Sequence, residues 1–293
     1  MTNPVIGSAG LGVMGEPICR NMLTKSGADV RVFDLSDDPV ARLVALGARR
    51  ADGIAALARE VDVLFLSLPG GPQVEAVVRG TDGIVANGRP GLTVVDMSTT
   101  PVGLTRELAG DLAQKDIRFA DAPVARTRQA AEDGTLSIMV GGSEQVFADI
   151  RPLLAYAASE ITHCGPVGCG QVVKILNNMV LFETVVALSE ALSMGKAAGV
   201  DAGLLFDTLS KGSADSFALR NHGMKAMLPD EFPTGAFPTD YALKDVSYAL
   251  ELAALTGLRA PGAELAQARM QRARAAGFGA EYFPVLTRVT DKV

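Results

Sequence analysis

In the stretch "GQVVKILNNMV", Lys174 interrupts a largely apolar run, and Asn178 follows four positions later. At helical spacing the two side chains share one face. An amine and an amide held together on a rigid helix can orient a hydroxyl or a carbonyl. A lysine can move a proton near neutrality when burial or a neighbouring cation lowers its pKa. A lysine at such a position can equally snorkel outward from a surface helix. Spacing alone leaves both readings open. The chain has two histidines, His163 and His222, and no H-E-x-x-H, so zinc chemistry has little support and no metal is expected. His163, beside Cys164 and near Cys169, reads as structural.

A second group of residues could hold the partner of such a reaction. Gly10-Leu11-Gly12-Val13-Met14-Gly15 forms G-x-G-x-x-G between an apolar run and a helical pattern. Gly10 allows the tight turn, Gly12 lets a pyrophosphate approach the backbone, and Gly15 lets the helix pack closely on the strand. The free N–H groups at the helix start face the anion. Asp34, 19 residues beyond Gly15, closes the next strand. A carboxylate there can accept both adenine-ribose hydroxyls and repel the extra phosphate of NADP. Asp37 and Asp38 add to that repulsion, so NAD(H) is expected over NADP(H). The plainer reading of Asp34 is a helix cap. Two further strands end in "FLSLP" and "DMSTT", placing Leu68, Pro69, Ser98 and Thr99 where ligands sit in such sheets. Those residues also suit ordinary turns and caps.

The elements that must position these residues follow from periodicity. Up to about Thr162, short apolar runs alternate with helical stretches. Strands are predicted at "PVIGSA", "DVRVFDL", "VDVLFLSLP", "GLTVVDMSTT", "IRFADAPV", "LSIMVGG" and, briefly, "EITHCG". Helices are predicted from Met14 to about Ser26 and at "DPVARLVALGA", "GIAALAREV", "QVEAVVRG", "PVGLTRELAGDLAQKD" and "SEQVFADIRPLLAYA". This alternation argues a mainly parallel α/β sheet covered on both faces. After Gly165 the pattern is helical throughout, with a long helix from about Gly170 to Ala198. Shorter helices follow at "DAGLLFDTLSKG", "LKDVSYALELAALTG" and "PGAELAQARMQRARAAG". Two domains are expected, residues 1–164 and 165–293, the second beginning with the long helix.

Composition narrows the setting. The 293 residues suffice for two domains, and a net charge of -6 does not indicate nucleic acid as a partner. The start of the chain lacks the pattern of a signal peptide, and the longest apolar stretches are interrupted before 18 residues, so no membrane span is expected. Three cysteines without a C-x-x-C make no disulfide framework, and a reducing cytoplasm is the simplest compartment.

The segments "GLGVMG", "DMST", "DAPV", "GTLSIMVGG", "GCGQVVKILNN" and "LKD" lie in order between residues 10 and 245. Together they resemble the β-hydroxyacid dehydrogenase family, which includes 3-hydroxyisobutyrate dehydrogenase and tartronate semialdehyde reductase. The resemblance implies a Rossmann-like N-terminal domain and an all-α C-terminal domain joined by a long helix, in a homodimer or homotetramer. It implies that Lys174 is the catalytic lysine and that Asn178 helps hold the substrate. It places Lys244 near the nicotinamide and the substrate, with Asp245 beside it. Without the resemblance, Lys244 and Asp245 read as a surface ion pair.

One departure stands out. After "DAPV" the family usually has Ser-Gly-Gly, which binds the substrate carboxylate. Here Val124 is followed by Ala125, Arg126, Thr127 and Arg128. Arg126 offers a planar fork of donors and Thr127 a hydroxyl, a set suited to carboxylate, sulfonate or phosphate. It resembles the variant found in sulfolactaldehyde reductases, with Ala125 in place of a glycine. Arg128 is expected to face solvent. Phe217 lies in a region that often borders the family's substrate pocket, although an aromatic in a helical domain is usually core. The expected activity is NAD-dependent interconversion of a small β-hydroxy acid and its semialdehyde. Alternatives are a sulfolactaldehyde or tartronate semialdehyde reductase, an imine reductase-like enzyme, which Lys174 disfavours, and a non-catalytic NAD-binding protein.

Overall fold

Residues 4–290 are described by the computed structural model. Nine strands form one sheet: β1 (Ile6–Ala9), β2 (Val30–Phe33), β3 (Arg49–Arg50), β4 (Val63–Leu66), β5 (Thr93–Asp96), β6 (Arg118–Asp121), β7 (Val124–Ala125), β8 (Leu136–Gly141) and β9 (Ala158–Gly165). Their order is β3-β2-β1-β4-β5-β6-β8-β7, with β9 also beside β8. From β3 to β6 every pairing is parallel. β8 runs antiparallel to β6 and β7 and parallel to β9.

The helices between these strands are α1 (Gly15–Ser26), α2 (Asp37–Ala45), α3 (Ile54–Glu60), α4 (Gly71–Arg79), α5 (Ile84–Asn87), α6 (Val102–Ala113), α7 (Arg128–Asp133) and α8 (Glu144–Leu154). Side chains alternate across a strand, so a sheet buried on both faces needs apolar residues at every position. β4 shows this directly. Val63 and Phe65 join a core with Ile18 and Met22 of α1 and Ile150 of α8. Leu64 and Leu66 join the opposite core with Leu57 of α3, Val74 of α4 and Leu108 of α6.

Several local features differ from the sequence expectation. "IRFADAPV" divides into β6 and β7, because the chain leaves its parallel pairing with β5 and turns to run antiparallel to β8. The last strand, β9, is eight residues long rather than brief. β3, α5 and α7 had no predicted counterpart; each is six residues or fewer, too short for a clear period.

The helical part comprises α9 (Cys169–Ala197), α10 (Ala202–Leu209), α11 (Thr239–Leu255) and α12 (Pro261–Ala273). Phe182 and Val185 of α9, Phe206, Val246, Met270 and Phe283 share its core. A π-helical segment, Leu219–Met227, was not foreseen. Its Leu228 N–H reaches back five residues to the Gly223 carbonyl at 2.9 Å, a register outside the 3.6-residue pattern. The chain divides into two compact units, Met1–Lys174 and Ile175–Val293, so the division falls inside α9. By length and composition alone α9 could cross a membrane, and 39 % of its most apolar window is buried. A core helix of a globular protein meets the same test of length and composition.

Candidate active site

The glycine loop shows how local sterics build a nucleotide cradle. Gly10 has φ +86°, and a Cβ there would lie 2.3 Å from the Ser67 carbonyl oxygen. A Cβ on Gly15 would lie 2.0 Å from the Gly10 carbonyl oxygen, so α1 can start this close to β1 only with glycine at that position. A Cβ on Gly12 would meet nothing within 4 Å, which leaves the loop's outer side open. The first helical hydrogen bond runs from Glu16 N–H to the Gly12 carbonyl, 3.1 Å, so the N–H groups of Gly12, Val13, Met14 and Gly15 precede it. Val13 is exposed, Met14 half-buried and Leu11 buried. Beside the loop lies a cleft of about 500 Å³ whose lining includes Gly12, Val13, Arg20, Arg42 and Arg128. Arg128 is exposed, as expected, and its guanidinium pairs with Glu132 at 2.9 Å.

Asp34 ties this loop to β2. One carboxylate oxygen accepts the Leu11 N–H at 2.5 Å and the other accepts the Ser36 N–H at 2.8 Å. It is not the α2 cap, which is Ser36. A carboxylate offers about four acceptor sites, so two bonds leave acceptor capacity for ribose hydroxyls. The cradle therefore fits a dinucleotide on its own sterics and hydrogen bonding.

The ends of β4, β5 and β6 carry a buried polar network. Ser98 Oγ accepts the Leu68 N–H at 2.9 Å, joining the loops after β4 and β5. Leu68 and Thr99 are half-buried and Pro69 is exposed. Asp96 accepts from Ser98 N–H at 2.9 Å and Thr100 Oγ1 at 2.8 Å. Gln171 donates to the Ser98 carbonyl at 2.8 Å and accepts the Thr100 N–H at 3.1 Å. Asp121 accepts N–H bonds from Gly168 at 2.7 Å and Gln171 at 2.8 Å. Burial pushes Asp121 up to about 6 despite those bonds, and the charge of Asp96 adds to the rise. Half-buried Lys174 follows Gln171 by three positions on α9. Asp96, Thr100, Asp121 and Gln171 were not recognised as site residues in the sequence. Their signal was available: aspartates paired in register close two apolar strands.

Val124 and Ala125 form the short β7, half-buried. Arg126 has φ +86°, a conformation that favours glycine. Its Nη1 donates to the Thr135 carbonyl at 2.5 Å and to Ser159 Oγ at 2.9 Å. Thr127 Oγ1 accepts the Ala130 N–H at 3.3 Å and caps α7. His163 stacks on Phe147 at 4.7 Å, and its Nε2 lies 2.8 Å from the Gly142 carbonyl oxygen, in keeping with a structural role.

Asn178, Asp245 and Lys244 come together in the helical unit. Asn178 is 3 % exposed and donates to Asp245 Oδ2 at 2.7 Å. The other carboxylate oxygen lies 3.1 Å from Lys244 Nζ. Lys244 Nζ is also 5.4 Å from the ring centres of Tyr241 and Tyr248. The ion pair foreseen from sequence exists, but Asp245 is buried rather than at the surface. Phe217 is 52 % exposed and therefore not core; its ring packs edge-on against His222 at 5.9 Å.

Comparison with known proteins joins these features. A family model described as the NAD binding domain of 6-phosphogluconate dehydrogenase matches residues 5–165. Another, described as NAD-binding of NADP-dependent 3-hydroxyisobutyrate dehydrogenase, matches residues 168–289. The chain is 35 % identical over 288 residues to 2-(hydroxymethyl)glutarate dehydrogenase of Eubacterium barkeri, covering 98 % of this chain and 95 % of that protein. The chain belongs to the 3-hydroxyisobutyrate dehydrogenase family. Among solved structures, 3-hydroxyisobutyrate dehydrogenase of Mycobacterium tuberculosis with L-serine superposes with a TM-score of 0.90 at 30 % identity, covering 99 % of each chain. A protein called Psf3, in complex with NADP+ and 2-OPP, superposes with a TM-score of 0.85 at 27 % identity, covering 97 % of this chain and 99 % of that one. As a member of the 3-hydroxyisobutyrate dehydrogenase family, the protein is an NAD-binding oxidoreductase acting on a small hydroxy acid or semialdehyde.

Proposed function

We propose that the protein interconverts a small β-hydroxy acid and its semialdehyde, with Lys174 as the proton-transferring group and NAD(H) preferred over NADP(H). The observation that carries this reading is the anchoring of the first turn of α9 on the β5 and β6 ends, which gives Lys174 a rigid base. In the oxidation direction Lys174 takes the alcohol proton; in reduction it returns it. A bound nicotinamide supplies the hydride acceptor or donor. Asn178, held by Asp245, aligns the substrate oxygen, and Lys244 supplies a second positive charge. Gly10 to Gly15 hold the pyrophosphate, with Leu68, Pro69 and Thr99 lining the cofactor. Asp34 receives the ribose and disfavours a 2′-phosphate.

The substrate's anionic end meets Arg126, Thr127 and the backbone of Val124 and Ala125, with Ser98 as a further contact on the sheet side; Phe217 is offered as a substrate contact of the helical unit. An arginine in place of the family's glycine supports a second anionic group on the substrate, as in the substrate that names the Eubacterium barkeri relative. The three cysteines are free, which supports the expected cytoplasmic setting. Val173, Leu176 and Val180 are exposed on α9 at i, i+3 and i+7 and support a homo-oligomer.

The test is a matrix of 3-hydroxyisobutyrate, 2-(hydroxymethyl)glutarate, glycerate, L-serine and 2,3-dihydroxypropane-1-sulfonate, each with NAD+ and NADP+. Turnover is expected with an acid of this set and higher kcat/KM with NAD+. Lys174→Ala should lower kcat by about 10²–10⁴-fold while leaving NADH affinity within twofold. Near-normal turnover in that variant would remove Lys174 from the chemistry.

A further inference from the structure

Gln171 lies three residues before Lys174, on the same side of α9. It is fully buried, and each end of its amide is used: Nε2 donates to the Ser98 carbonyl at 2.8 Å, and Oε1 accepts the Thr100 N–H at 3.1 Å. Its backbone N–H is held by Asp121 at 2.8 Å. Asp121 holds the Gly168 N–H with its other oxygen, at 2.7 Å. One residue thus joins the helix to the loop after β5 through its side chain and to the end of β6 through its backbone. Packing adds a further constraint. A Cβ on Gly170 would lie 2.4 Å from the Met139 carbonyl oxygen and 2.8 Å from Asp121 Oδ2.

These bonds do more than hold the helix against the sheet. A helix packed through apolar contacts alone can rotate by some degrees with little loss, because those contacts are not directional. Hydrogen bonds are directional and weaken steeply when misaligned. The Gln171 amide, closed at both ends on the backbone of Ser98 and Thr100, therefore defines the rotational setting of α9. The side chain three positions on inherits that setting. A fully satisfied buried network is also the kind that rigidifies its surroundings.

We infer that Gln171, braced by Asp121, is a positioning residue for Lys174, setting the rotation of α9 that brings the lysine amine to the strand ends. The inference rests on the assignment of Lys174 as the proton-transferring group. Gln171→Met preserves side-chain length and removes both amide bonds. It should lower kcat by about 10–100-fold, the scale of a misplacement near 1 Å. KM and NADH affinity should change by a smaller factor than kcat, since the glycine loop takes no bond from Gln171 although the backbone on either side of Thr99 does.

The same substitution in a Lys174→Ala background separates positioning from general damage. With the amine gone, Gln171→Met should alter residual turnover by less than twofold. Equal losses in both backgrounds, or no loss with Lys174 present, would overturn the inference and leave Lys174's own role intact. Near-normal turnover of Lys174→Ala alone would instead overturn the assignment of Lys174, and the inference with it. Should Gln171→Met fail to fold, Gln171→Glu is the second variant. It keeps the acceptor for Thr100 and replaces the donor to Ser98 with an oxygen. Two acceptors then face each other at the Ser98 carbonyl, so the same pattern in the double-mutant comparison is expected with a loss at least as large.

Discussion

At the scale of residues, Arg126 combines two properties that oppose each other. Its left-handed backbone is strained for any side chain bearing a Cβ, at a cost of about 1–2 kcal/mol. Its guanidinium bridges the Thr135 carbonyl and Ser159 at the sheet edge and supplies positive charge beside Thr127. A strained residue held where glycine would be comfortable points to function. Two substitutions separate the contributions. Arg126→Ala removes the charge and keeps the strain, whereas Arg126→Gly removes both. The glycine variant should be more stable than the alanine variant by about 1 kcal/mol, measured by urea denaturation. Both should raise KM for the anionic substrate by about 10–100-fold, the effect of losing a hydrogen bond to a charged group. An unchanged KM in both would exclude Arg126 from substrate binding. Asp34 organises the glycine loop by accepting the Leu11 N–H, and its proposed ribose contact would be a second role.

At the scale of elements, the π-helical segment Leu219–Met227 carries His222, whose Nδ1 pairs with the Tyr282 hydroxyl while Nε2 is buried without a hydrogen-bond partner among the described residues. Burial lowers the His222 pKa to about 4 from an ordinary 6.5. The folded value is depressed, so the unfolded chain takes up the proton first as pH falls. The stability this group contributes is complete above about pH 6.5 and is lost progressively down to about pH 4. The loss amounts to roughly 3 kcal/mol. Asp121 acts in the opposite sense. Its folded value of about 6 is raised above 3.8, so its cost at neutral pH is recovered as pH falls through 6. Comparing wild type with His222→Leu isolates the histidine. The stability difference between them should change by about that amount between pH 7 and pH 4.5, with wild type losing more on acidification. Parallel curves in urea titrations over that range would show that His222 titrates normally.

At the scale of the whole molecule, the exposed Val173, Leu176 and Val180 form an apolar stripe on α9, which also carries the candidate active-site lysine. If the stripe is a subunit contact, Val180→Lys should shift the protein to a smaller species in light scattering coupled to size exclusion. An unchanged mass would place any subunit contact elsewhere. Much of this architecture was legible in the sequence, because periodicity is a local property. β1, β2, β4, β5 and β8 fall where the apolar runs lie, and α9 begins and ends within one residue of the predicted span. The glycine pattern and Asp34 were legible because a nucleotide cradle depends on short-range sterics at fixed spacing. Elements of a turn or less, the division between β6 and β7, and the five-residue register of the π-helix were not, since none imposes a period of its own. The sequence by itself determined the alternating α/β order, the cradle and the presence of Lys174 with Asn178 on one helical face. Only the tertiary structure decided that Gln171, Asp121 and Asp96 close a buried network around the start of that helix, that Asp245 holds Asn178, and that Arg126 occupies a glycine's conformation. The network and the Asn178–Asp245 bond join residues dozens of positions apart, and Arg126's torsion is set by the turn into which the sheet forces it; neither leaves a repeating trace along the chain.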